Sequence, residues 1–173
     1  MSENPRSRDL IILSRGRSIT PTLSSSMSTA GWVGGTGVRW AGSTKDDFEV
    51  ELSDGEVAGF MIWGSNESAD QFTSMTMNQP TYRAGTMAFG RWLIMTVAFE
   101  RYTYASRTGG GPLVPLTYTA SDHLRFSLRG LWTVEDEWAL SGDIRAPNEN
   151  IVGFVSQSPT GVTSNYITIQ TSF

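Results

Sequence analysis

Cysteine is absent from the 173 residues, and with it go disulfides, thiolate metal sites and cysteine nucleophiles. Histidine occurs once, at His123, which leaves little scope for imidazole catalysis or for histidine-based metal sites. Ser121-Asp122-His123 contains the letters of a hydrolase triad, but neighbours on a strand or turn point apart and cannot align nucleophile, base and orienter. No Gly-x-Ser-x-Gly elbow accompanies it, so His123 reads as a surface or turn residue. Gly34-Gly-Thr-Gly37 lacks the Lys-Ser/Thr and the strand-to-helix context of a phosphate loop, and like Gly109–Gly111 it reads as a turn. Long apolar runs are also missing. The longest, Trp92–Ala98, is interrupted by Thr96 and falls well short of the ~20 residues of a membrane span. The polar start, Met1–Arg8, lacks the apolar core of a signal peptide, so a cytosolic product is expected.

Acidic residues are present in clusters, Asp46, Asp47, Glu49 and Glu51, then Glu135, Asp136 and Glu137. Neither has calcium-loop spacing, and both read as solvated or partner-facing patches. A glycosidase would need two carboxylates held across a cleft, and no local pattern signals that pair. No catalytic residue, metal ligand or cofactor is therefore expected.

Aromatics are abundant: they make up 11% of the chain, including six tryptophans, which with a net charge of only −4 separates it from disordered sequences. The length is enough to bury a core without covalent staples. The acidic balance argues against nucleic acid as a whole-domain partner. Charge is uneven, however. Arg6, Arg8, Arg15 and Arg17 against Glu3 and Asp9 leave +2 over residues 1–20 and −6 over the rest. Lys45 stands alone beside twelve arginines, a bias that either suits planar, fixed contacts or reflects the base composition of the genome.

Residues 1–31 show little periodicity. The apolar Leu10-Ile11-Ile12-Leu13 sits in a Ser/Thr/Arg/Pro-rich context, which predicts an extended N-terminal arm ahead of a β domain over residues 32–173. Leu10–Leu13 then serves either as a strand or anchor added to a neighbour or as the first edge strand of the domain's own sheet. Trp32 and Trp40 flank a glycine-dense turn. Asp47–Leu52 alternates with period two, Ser53–Glu56 carries an Asp-Gly turn signal, and Val57–Trp63 is expected as the paired strand. Arg91–Tyr104 reads as a central strand on its β-branched and aromatic content, with a buried helix as the alternative. Short strands follow at Leu116–Thr119, Leu124–Leu128, Ile151–Val155 and Tyr166–Phe173, with turns at Ser121-Asp122, Arg129-Gly130 and Ser158–Gly161; only Glu135–Leu140 suggests a helical turn. This spacing predicts an all-β chain, a small antiparallel β-sandwich or barrel. Trp132 and Trp138 flank the acidic run at 135–137 and form either a partner-binding or sugar-binding pair or caps on the core.

From Tyr118 on, the sequence resembles head decoration (capsid cement) proteins of tailed bacteriophages and related virion structural proteins. The resemblance is carried by Tyr118–Thr133, by Ile151-Val-Gly-Phe-Val155 and by Tyr166-Ile-Thr-Ile169, with Asp54–Phe60 as an early hairpin. It spans about half the chain and rests on turn-and-strand grammar, a Leu-x-x-Ser-x-x-Gly-x-x-Thr strand and turn followed by Val-Gly-x-Val. It implies a virion protein, assembled in the host cytoplasm, that binds the major capsid protein lattice and copies of itself, with a homotrimer as the candidate assembly, and that contacts neither nucleic acid nor membrane. The residues expected to bind partners are Arg6, Arg8, Leu10, Ile11, Ile12, Leu13, Arg15 and Arg17 of the arm, with Trp132 and Trp138. A receptor- or carbohydrate-binding module of a tail or spike is the alternative.

Overall fold

The computed structural model describes residues 9–24, 27, 32–41, 49–53, 56–62, 86–104, 112–127, 129–134, 151–159 and 165–173. Among the described residues the chain is all-β, with two six-stranded sheets consistent with a β-sandwich and no regular helix.

The first sheet contains β1 (Leu10–Ser14), β8 (Leu93–Thr96), β11 (His123–Phe126), β12 (Trp132–Val134), β13 (Gly153–Gln157) and β14 (Ile167–Thr171), ordered β1-β8-β14-β13-β11-β12. The second contains β2 (Arg17–Ile19), β3 (Thr22–Leu23), β4 (Gly37–Trp40), β5 (Glu49–Leu52), β6 (Gly59–Met61) and β7 (Met87–Phe89), ordered β2-β7-β6-β4-β5-β3. β9 (Tyr102–Tyr104) and β10 (Leu113–Pro115) form a separate ribbon. Pairing is antiparallel except between β3 and β5.

Both sheets must curl. Five strand spacings would put β2 and β3 ~24 Å apart if the second sheet were flat, yet the three residues from Ile19 to Thr22 reach only ~10 Å. The same constraint acts on the first sheet. Three residues after Thr96, Phe99 bridges to Trp132 on the far strand β12, so the continuation of β8 lies along the sheet's opposite edge.

The period-two alternation in the last third supplies the inner face. Leu124, Phe126, Trp132, Val155, Ile167 and Ile169 are buried together with Ile94 and with Phe60 and Ala88 of the second sheet. A second apolar cluster, Leu23, Met27, Trp32, Val38, Val50, Met61 and Met87, fills the other side of the second sheet. β6 is consequently buried on both faces.

Three local expectations change. The Asp-Gly signal predicts β5 and β6 as a hairpin, but β4 lies between them, pairing antiparallel with each. Ser53 N–H donates to Gly37 O and Ala58 N–H to Val38 O, so the chain is bonded to β4 on either side of that turn. The Arg91–Tyr104 segment is not one strand. Thr96 Oγ1 accepts from Ala98 N–H (3.0 Å) and donates to Gly34 O (2.8 Å); this local bond diverts the backbone from the ladder and separates β8 from β9. In place of a strand at Leu116–Thr119, β10 ends at Pro115, and Thr119 N–H donates to Asp122 Oδ2 (2.8 Å) to shape the turn before β11. The Arg129-Gly130 reversal joins β11 to β12 as expected, with Phe126 opposite Trp132.

Candidate functional site

Six of the residues expected to bind partners lie on one continuous stretch. Leu10–Ser14 is β1, at the edge of the chain's own first sheet beside β8, and Arg17–Ile19 is β2, at the edge of the second sheet beside β7. Arg15 and Gly16 carry the chain from one sheet to the other. Leu10 is buried, Ile11 and Ile12 are half-buried, and Leu13, Ser14, Arg15, Gly16, Arg17 and Ser18 are all exposed. Residues 10–19 of the expected arm thus lie along one edge of each sheet, while Leu23 and Met27 are buried in the second apolar cluster.

Packing at the crossing fixes that rim. Trp92 is buried, and its indole N–H donates to Phe89 O (2.9 Å) and Arg17 O (3.2 Å). A Cβ on Gly16 would stand 2.6 Å from Trp92 Nε1 and 2.6 Å from Arg91 O, so only glycine lets the chain pass so close to the ring. On the other side of β1, Gly34 packs against Leu10.

The rim is shaped against indiscriminate pairing. β1 has a register shift between Ile12 and Ser14, which makes Leu13, 51% exposed, the extra residue of a bulge. Arg15 and Arg17 add charge, another common means of discouraging edge-to-edge association. Because Asp9 O accepts from Val97 N–H, strand alternation turns the main-chain N–H and C=O of Ile12 away from β8, where no described backbone group bonds to them.

The opposite edge of the first sheet is closed. Glu100 N–H donates to Trp132 O, and Trp132 N–H to Ala98 O. The Glu100 carboxylate is buried and accepts from Ser127 Oγ (2.7 Å) and Arg129 Nε (3.1 Å), and pairs with Arg129 Nη2. Tyr118 Oη donates to Glu100 O. These groups are far apart in sequence and form no motif, so local pattern gave no signal for them. Ser127 Oγ also accepts from the N–H groups of Arg129 and Leu131, which commits it to holding the turn.

Trp132 is fully buried rather than surface-forming. It packs on Phe126 at 4.4 Å between ring centroids and near Phe60 and Phe173, and its indole N–H donates to Gly35 O (2.8 Å). It offers no ring face to a sugar or a partner. Its strand registers it inward, which the flanking acidic residues could not indicate. His123 is exposed at the start of β11, 5.5 Å from the Phe154 ring. Arg6, Arg8, Trp138, the acidic run at 135–137 and Asp46 and Asp47 lie outside the described residues. Among the described residues no group of three or more acidic or histidine side chains is placed to hold a metal ion.

No family model, curated protein or solved structure matches the chain.

Proposed function

We propose that the chain is a virion structural protein, a head-surface protein that attaches to the assembled capsid lattice through the rim at Leu10–Ile19. The observation that carries this reading is the run of exposed residues from Leu13 to Ser18, along the edges of two sheets at once. A sheet edge binds by adding a strand, with main-chain hydrogen bonds for affinity and side-chain contacts for choice of partner. On a repetitive lattice, individually weak contacts become strong through effective concentration. The turn-and-strand resemblance at Tyr118–Thr133 supports a capsid as the partner.

The test mixes purified protein with expanded shells of the virus that encodes it. Stoichiometric binding and a higher shell-disruption temperature are expected. Failure to bind any such shell, together with absence of the protein from purified particles by mass spectrometry, would remove the proposal.

A further inference from the structure

Three exposed arginines have their main chains close together where the two sheets join. Arg15 and Arg17 flank Gly16, and the main chain of Arg91, also exposed, lies against Gly16. Among the described residues none of the three side chains has an ion pair or hydrogen bond, whereas Arg39 and Arg129 each pair with glutamate. In a chain of net charge −4, a basic cluster of this kind beside an open main-chain edge is complementary to an acidic partner. The open N–H and C=O of Ile12 select a partner with a peptide backbone, and exposed Leu13 adds an apolar contact. A second copy pairing edge to edge would bring like charges together along the same rim, which is unfavourable.

We infer that this seam binds an extended, acidic polypeptide segment of another protein, added as a strand beside β1 with its carboxylates on Arg15, Arg17 and Arg91. The inference rests on the proposal that the rim is the attachment surface, and it specifies the chemistry of what is attached.

A labelled peptide alternating Val and Glu is titrated against the full chain by fluorescence anisotropy, and amide exchange at Ile12 is followed. Binding with protection of that amide is expected. The triple variant Arg15→Glu, Arg17→Glu, Arg91→Glu should bind about tenfold more weakly, and a peptide with central prolines, which lack N–H donors, should not bind. Absence of binding, equal binding of the proline peptide or of a Val-Lys peptide, or the chain pairing with itself through β1 would overturn the inference. So would oligothymidylate binding more tightly than the Val-Glu peptide with the same arginine dependence. Shell binding separates the two claims. If the triple variant binds shells as well as the unaltered chain does, the acidic-strand inference falls and the capsid proposal stands. If the peptide binds as expected and no shell does, the capsid proposal falls and the inference stands.

Discussion

The first sheet ends in two different ways. At β12 the main chain of Ala98–Glu100 bonds along the edge, and a buried carboxylate with Ser127 and Arg129 locks it there. At β1 no further strand pairs with the edge among the described residues, the strand is bulged at Leu13, and exposed Arg15 and Arg17 follow it. The comparison shows what sealing an edge requires. Here a second run of backbone is joined by a buried carboxylate, and such a carboxylate must be fully hydrogen-bonded. Leaving an edge open requires instead features that prevent unwanted pairing. The closed edge belongs to stability, and the open one is the proposed binding surface.

The sharpest way to break this contrast is to attack the closed side. Trp132→Ala should destabilise the chain by about 3–5 kcal/mol, because it removes a buried aromatic side chain and leaves a cavity; urea unfolding would measure it. Arg129→Ala should cost about 3 kcal/mol, since it leaves the Glu100 carboxylate buried without its cation. That value is at the low end because the Arg129 side chain is 48% exposed while that of Glu100 is 1% exposed. Glu100→Gln, which removes the buried charge itself, should cost less than Arg129→Ala. Equal losses would mean the clamp is held by shape and not by charge.

Much of the closed side was legible in the sequence. The alternation in Leu124–Phe126 and Tyr166–Phe173 and the Arg129-Gly130 reversal give β11, β12 and β14 because period and turn chemistry act over a few residues. The clamp was not legible, since Glu100 and Arg129 meet only when the sheet curls. The insertion of β4 between β5 and β6 was hidden for a related reason: an Asp-Gly signal specifies a local reversal and not which strand will pair. On the open side, the apolar Leu10–Leu13 could be read as an edge strand of the domain's own sheet. That one stretch would serve as the edge of both sheets depends on Trp92, which is 75 residues from Arg17.

Gly16→Ala probes how firmly the open side is held. Its new Cβ would meet the Trp92 ring and Arg91 O, and overpacking of this kind costs about 1–3 kcal/mol. Amide exchange should rise in β1 and β2 while the β11–β12 hairpin stays protected. Uniform loss of protection would mean that the rim and the closed edge unfold as one unit, and the division between them would disappear.

The smallest effect is expected from the arginines. Arg15→Ala with Arg17→Ala removes side chains that are exposed and without an ion pair among the described residues, and surface changes of this type stay within about 0.5 kcal/mol. The unfolding midpoint should therefore hardly move. Attachment should nevertheless fall, because the charges removed are those proposed to face the acidic partner. The two measurements must be made on the same protein, since only their divergence distinguishes a binding edge from a structural one. A midpoint lowered as far as by Gly16→Ala would assign both arginines to the fold and leave the open edge without a recognition element.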